Sequence, residues 1–387
     1  MKIQNLRRLY EAAGRDGNPD RFFNDIGDAL RTGQIQAKEF SIKQLFENFV
    51  PDGREMVDSW NPRHGGGLQM LQEAADVVST SAFANISGQI VYTETLKAFE
   101  MEDFIFTKLV DTVPTQFNGE KIAGIGGLGD EAAVIGEGMP YPNAGVSEDY
   151  IETPATTKRG FKVEVSKEAV FFDRTGDLMA RCKEVGKYLG YNKEVRIVDC
   201  LIDENVTTHR YKWRGTVYAT YQTSTPWDNV TASAALTDWT DIDEAEQTLA
   251  AIVDPNTGLP IMNMGNDLVV TRQNVAKAMY ITNATQIRMN DGASNTTANY
   301  SPAMQFVKNK RIISSSLLAN RMATDTTYYL GDVNGAFMYM ENWPLAVVPK
   351  PSGSDSEWER DIVAGWKCSE RGAAATREPR KITKCTA

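Results

Sequence analysis

DLMARCKEVGKYLGYNKEVRIVDCLID, residues 177 to 203, decides how the rest of the chain is understood. Leu178, Cys182, Val185, Leu189, Val195, Val198 and Ile202 recur at three- and four-residue steps, with one step doubled, while Arg181, Glu184, Lys187, Lys193, Glu194 and Asp199 occupy the other faces. This is the pattern of an amphipathic helix with one apolar stripe. Thr175 or Asp177 can cap its first turn, and Asp177 stands four residues before Arg181, the favourable order for an acid and a base. At 1.5 Å per residue the helix would span roughly 40 Å, most of the width of a domain, so it reads as a spine. Gly186 and Gly190 each cost about 1 kcal/mol inside a helix. They predict close backbone approach there, with the C-terminal strands as the expected neighbour.

The composition narrows the function. A chain of 387 residues that is 42% hydrophobic can bury a sizeable core, enough for two domains. A net charge of -10 argues against a dedicated nucleic-acid binder, which needs clustered Lys and Arg to neutralise phosphates. Cys182, Cys200, Cys368 and Cys385 show no metal spacing, and the two on the spine are some five turns apart, too far to bridge. Reduced thiols in an intracellular protein are the expectation. Neither a signal-peptide core nor a membrane-length apolar run is present, so the chain is expected to be cytosolic, and Asn205, Asn229 and Asn283 in Asn-x-Ser/Thr triplets carry no glycosylation meaning.

Outward from the spine, the pieces differ in character. Residues 1 to about 75 contain short amphipathic segments, 6–13, 20–30 and 40–50, whose Phe22, Phe23, Ile26, Leu45, Phe46 and Phe49 need another surface to cover them. The segment reads as an arm, with a hinge at Trp60–Gly67. A helix is expected over Gln89–Phe99. From Asn118 to Thr157 there are eight glycines, three prolines and few large apolar residues, closing on Phe161, Val163 and Val165 in strand-like alternation. This reads as a long two-stranded excursion that must lie on something, with a neighbouring subunit as the expected surface, because an isolated hairpin is marginal in water. After the spine come a strand or hairpin at Tyr211–Tyr221, a helix over Asp238–Ile252 capped by Asp238 or Thr240, and a strand at Leu268–Val270. A helix at Gln273–Ile281, a polar loop at 290–301, and strands at Arg311–Ser315, Tyr328–Leu330 and Ala336–Met340 follow. The terminal segments 346–348, 361–366 and 373–382 are strand-like and are expected to return beside the spine.

The motifs that could carry chemistry each have a plainer reading. Gly124, Gly126 and Gly129 match the dinucleotide GxGxxG literally, but Asp130 and Glu131 follow at once and no helix pattern does, so these read as loop glycines. His64-Gly-Gly-Gly67 resembles an oxyanion loop with no GxSxG nucleophile to serve it. His64 and His209 have no metal spacing, Asp241, Asp243, Glu244 and Glu246 suit a helix start, and Asp254–Gly258 is a turn rather than a calcium loop. Arg371, Arg377, Arg380, Lys381 and Lys384 read as a solvated strand edge or a polyanion contact. No catalytic, cofactor-binding or metal-binding residue is assigned, and no cofactor is expected.

The order of pieces is distinctive, and it resembles the major capsid protein of tailed bacteriophages, the Hong Kong 97-type family shared with encapsulin shells. VIGEGMPYPNAGVSEDYIETPATTKRGFKVEVSKEAVFFD, running into the spine, is similar to that family's extended loop. YYLGDVNGAF looks like its late axial strands, and WERDIVAGWKCSERGAAATREPRKITK like the closing peripheral strands. The resemblance covers roughly residues 80 to 387. It implies an α+β fold with an N-terminal arm (1–80), a peripheral domain (81–117, 166–227 and 343–387) carrying the spine at 177–203, an extended loop (118–165) and an axial domain (228–342).

The resemblance further implies a structural protein rather than an enzyme. Hexamers and pentamers of the chain would close an icosahedral virion shell around double-stranded DNA held by weak non-specific contact. Assembly would occur in the host cytoplasm with portal, scaffolding and decoration proteins and no membrane. The loop would lie across a neighbour's peripheral domain and the arm would reach another copy. Some members join subunits through a Lys–Asn isopeptide bond; Lys121, Lys158 and Asn342 have suitable chemistry, but no motif assigns them. An encapsulin-like compartment shell and a soluble hydrolase are the alternatives.

Overall fold

The spine forms. In the computed structural model, the described residues are 19–32, 41–50, 53–59, 77–123, 135, 137, 150–203, 211–224, 226–232, 234–255, 258–284, 286–290, 298–302, 305–350 and 362–386, and the long helix runs Thr175–Ile202. The strands in chain order are β1 (Asp111–Pro114), β2 (Lys121–Ala123), β3 (Tyr150–Glu152), β4 (Thr157–Ser166), β5 (Tyr211–Trp213), β6 (Thr216–Tyr218), β7 (Thr223–Ser224), β8 (Trp227–Asp228) and β9 (Val230–Thr231). They continue with β10 (Asp267–Val269), β11 (Gln286–Asn290), β12 (Ala298–Pro302), β13 (Arg311–Ile313), β14 (Tyr328–Gly331), β15 (Phe337–Pro349), β16 (Ile362–Thr376) and β17 (Ile382–Cys385). The chain divides into a first unit (1–104, 158–192, 343–371) and a second (105–157, 193–342, 372–387). The fold is α+β, as expected.

In the first unit, helices Pro19–Arg31 and Ile42–Phe49 and the spine's first part surround helix Val77–Phe99. Leu178, Cys182 and Leu189 share one core with Phe22, Ile26, Leu30, Leu45, Phe46 and Phe49, and with Phe83, Ile86 and Ile90. The cover that the arm's apolar residues were expected to need is thus found within the same chain. A short amphipathic helix gains most by covering its stripe on the nearest long apolar surface, and Val77–Phe99, over twice as long as the helix expected at Gln89–Phe99, supplies one. The glycine reading holds with a different neighbour: a Cβ at Gly186 would strike Thr95 O and Ala98, and one at Gly190 would strike Phe99 O and Phe104 at 2.5 Å. The approaching backbone is this helix and its end, not the returning strands. Those strands do return, for Ala364, Trp366 and Cys368 of β16 lie in the same core.

The second unit is built on a five-stranded sheet in the order β13-β10-β14-β17-β9, with β10 antiparallel to β14 and parallel to β13. Helix Trp239–Ala251 begins with a capping box in which Asp238 accepts from Thr240 N at 2.8 Å and Asp241 accepts from Asp238 N at 3.0 Å. Its Ile242 and Ala245 pack with Ala278 and Ile281 of helix Val275–Thr282 against Leu268, Tyr328 and Leu330. A second core joins Ile197, Val198, Cys200 and Leu201 of the spine to Phe106, Tyr329, Phe337, Tyr339, Ala374 of β16 and Ile382. The 290–301 segment expected as a loop contains part of an antiparallel hairpin, β11 with β12, whose polar Gln, Arg, Asn and Ser residues hid the strand period.

Two spine residues overturn the expected stripe. Lys193 and Glu194, placed on the polar faces by sequence, are 5% and 0% exposed. Four-residue steps place Lys193 between Leu189 and Ile197, and Glu194 between Gly190 and Val198, so the buried face passes through them.

Candidate functional site

Among the described residues no cluster of His, Cys, Asp and Glu is arranged to hold a metal, and no helix is long and apolar enough to cross a membrane. What the sequence builds with most care are polar junctions. Glu194 accepts from Phe106 N (2.8 Å), Thr107 N (2.7 Å) and Thr107 Oγ1 (2.7 Å), capping the short helix Ile105–Leu109. Lys193 donates to Glu341 at 3.5 Å and lies 4.2 Å from the Tyr339 ring centroid. At the spine's end, Tyr221 and Tyr329 hydroxyls donate to Leu201 O (2.7 Å) and Ile202 O (3.3 Å), so two terminal carbonyls find partners. Burial pushes the Tyr221 phenol well above its ordinary range and keeps it a donor.

Residues 118–123 and 150–156 are zipped together. Lys121, Ile122 and Ala123 of β2 pair antiparallel with Glu152, Ile151 and Tyr150 of β3, which pairs in turn with the β5–β6 hairpin. Asn118 Oδ1 accepts from Thr156 N at 2.9 Å, and Glu120 N donates to Thr153 Oγ1 at 2.9 Å. Gly119 has φ +87°, where a Cβ would meet Thr153 O at 3.3 Å, so the turn into β2 requires glycine. Glu152 pairs with Lys212 and, at 3.8 Å, with Lys121. The Lys212 hydrogen bond leads in holding its carboxyl below the usual carboxylate range. Asn342, weighed above for covalent chemistry, donates to Thr115 O (3.0 Å) and Phe117 O (2.9 Å) and fastens the outgoing chain to β15.

Arg380 corrects the solvated-edge reading of the C-terminal basic cluster. It is 6% exposed and donates to Glu378 (2.6 Å from Nε) and to Asp254 (2.8 Å from Nη1). Burial opposes its charge, but those two carboxylates outweigh burial and raise its pKa. Asp254 thereby anchors the predicted turn, whose Gly258 has φ +70° and donates to Asp254 O at 2.7 Å. Asn229, in a glycosylation-like triplet, is fully buried and donates to Thr220, Pro379 and Ile382 carbonyls. Glu246 pairs with Lys310. The four cysteines are free and buried, and burial pushes Cys182, Cys200 and Cys385 to about 12 and Cys368 to about 11, which leaves them poor nucleophiles. Gly124–Gly129, His64–Gly67, Phe23's side chain and His209 lie outside the described residues.

Sequence reasoning missed Lys193, Glu194, Asn229 and Arg380. A signal existed for the first two, their four-residue phase with Leu189 and Gly190; none marks Asn229 or Arg380, each of which has at least one partner more than a hundred residues away.

The phage capsid protein family matches residues 150–385. No curated protein matches the sequence. Solved structures similar to the chain include a phage-related protein from Bordetella bronchiseptica RB50, 12% identical, covering 76% of this chain and 95% of that one with a TM-score of 0.42. The capsid of a native GTA particle is 11% identical, covering 74% and 90%, with a TM-score of 0.43. The capsid of cyanophage P-SCSP1u is 12% identical, covering 73% and 88%, with a TM-score of 0.43. At these scores the structural likenesses add no weight to the family match.

Proposed function

We infer the function from the premise that the chain belongs to the phage capsid protein family: it is a major capsid protein whose copies form a virion shell. The single observation that carries this is a family match over well more than half the chain, from β3 to the end of β17. The finer reading is ours. The shell is icosahedral and of Hong Kong 97 type, built from hexamers and pentamers around double-stranded DNA, and the chain works mechanically rather than as an enzyme. Residues 118–165 act as the extended loop and 228–342 as the axial domain. The zipped base at Asn118–Ala123 and Tyr150–Thr156 supports the loop assignment, because it holds two chain segments together where an excursion begins and ends.

The chain's part in a virion begins in the host cytoplasm. Portal, scaffolding and decoration proteins are its expected partners, and DNA contact is weak, consistent with a net charge of -10.

Electron microscopy of the purified protein tests the reading: closed shells or five- and six-fold rings are expected, and a persistent monomer across assembly conditions sinks it. Nucleic acid inside native particles separates a virus shell from a compartment shell. Deleting residues 124–143 should leave a folded subunit unable to close shells; unimpaired assembly would refute the loop assignment.

A further inference from the structure

The sequence contains two Asn-Gly pairs, Asn118–Gly119 and Asn334–Gly335. An asparagine before glycine is open to attack on its own carboxamide carbon by the next backbone nitrogen, because glycine has no side chain in the way of the ring that forms. The two pairs share this chemistry, and the fold treats them differently.

At the first pair the reacting groups are left available. Asn118 is exposed, so water and hydroxide reach it. Its Oδ1 accepts from Thr156 N at 2.9 Å and from Thr156 Oγ1 at 3.2 Å. Negative charge develops on that oxygen as the carbon is attacked, and donors already aimed at it lower the barrier. Among the described residues, the attacking Gly119 N and the departing Asn118 Nδ2 make no hydrogen bond. The second pair is restrained at both atoms. Asn334 lies in the helical turn Val333–Ala336, where Gly335 N donates to Asp332 Oδ1 at 3.1 Å. The Asn334 carboxamide nitrogen donates to the two Asp111 carboxylate oxygens at 2.8 and 3.0 Å.

We propose that Asn118, its carboxamide polarised by Thr156, is a self-modification site that converts to isoaspartate and aspartate. Hydroxide takes the Gly119 N–H proton, and the nitrogen forms a bond to Asn118 Cγ. The Cγ–Nδ2 bond breaks, and Nδ2 gains a proton from water and leaves as ammonia. Water then opens the five-membered ring at either of its carbonyls. The balance is one water consumed and one ammonia released, with no oxidant or reductant. Each conversion adds a negative charge, and isoaspartate also adds a methylene carbon to the main chain. That carbon enters between Phe117, whose carbonyl Asn342 holds, and β2, whose register with β3 is fixed by pairing. Conversion therefore loosens the pairing of β2 with β3, whether or not the chain is assembled.

The test is peptide mapping of the full chain during incubation in mildly alkaline buffer. The Asn118 peptide should gain about 1 Da, at a rate proportional to hydroxide and at least about tenfold that of the Asn334 peptide. In urea, where the fold no longer distinguishes them, the two should convert alike. Thr156→Val removes one donor to Oδ1 and should slow Asn118 about fivefold. Hydrogen exchange should show the Lys121–Ala123 amides exchanging faster once conversion is complete. Equal rates at the two pairs in the folded protein overturn the proposal, as does an Asn118 that stays intact while the urea-unfolded chain converts. A Thr156→Val variant that converts faster than wild type, or unchanged exchange at β2 after conversion, overturns it as well.

Discussion

The two parts of the spine helix solve the same burial problem differently. In the first unit, Gly186 and Gly190 remove side chains so that Thr95 O and Phe99 O come up to the helix, and Leu178, Cys182 and Leu189 complete an apolar interface. In the second, Lys193 and Glu194 enter the interior and take hydrogen-bond or charge partners with them. The first part is specified by volume and the second by polar satisfaction, and the costs of error differ accordingly. A missing partner for a buried donor costs its full desolvation, whereas a misplaced methyl can be partly absorbed by side-chain shifts.

The comparison is broken most sharply at Glu194. Glu194→Ala leaves two amides and a hydroxyl of Phe106 and Thr107 without their acceptor and should destabilise the subunit by about 3 kcal/mol in urea unfolding. A loss under about 1 kcal/mol would mean that water replaces the carboxylate. Gly186→Ala comes next. Helix propensity alone predicts a gain of about 1 kcal/mol, but the new methyl meets backbone at Thr95, so a net loss of about 2 kcal/mol is expected. A stabilised variant would show that the helix pair separates freely.

Tyr221→Phe removes one neutral hydrogen bond to Leu201 O and should cost about 1 kcal/mol by the same measurement. Glu152→Gln, at a half-buried position of β3, should have the smallest effect and a pH signature. Its folded pKa is lowered, so its contribution is present above the unfolded carboxylate pKa and lost as pH falls through the folded value. The small melting difference between Glu152→Gln and wild type should therefore shrink as pH drops from about 7 to about 3. A gap that persists in acid would assign it to packing instead.

Much of the architecture was legible because it is local. The spine's period, the Asp238 cap, the Asp254–Gly258 turn and the return of strands toward the spine all follow from spacing, breakers and alternation, and each is found. The arm's cover could not be assigned from sequence, because its short apolar stripes show that cover is needed without showing whose cover it is. Phe46 meets Phe83 at 5.4 Å in the same chain.

The sequence by itself determined the spine's apolar period, the Asp238 cap and the Asp254–Gly258 turn, and its order of pieces resembles that of a shell protein. Those are properties of neighbours along the chain. Only the tertiary structure decided that Lys193 and Glu194 are interior, that Asn342 holds the chain at Thr115 and Phe117, and that Arg380 bridges Glu378 to Asp254. Each of these joins residues tens to hundreds of positions apart. The cost of burying a charge exists only once such residues share a place.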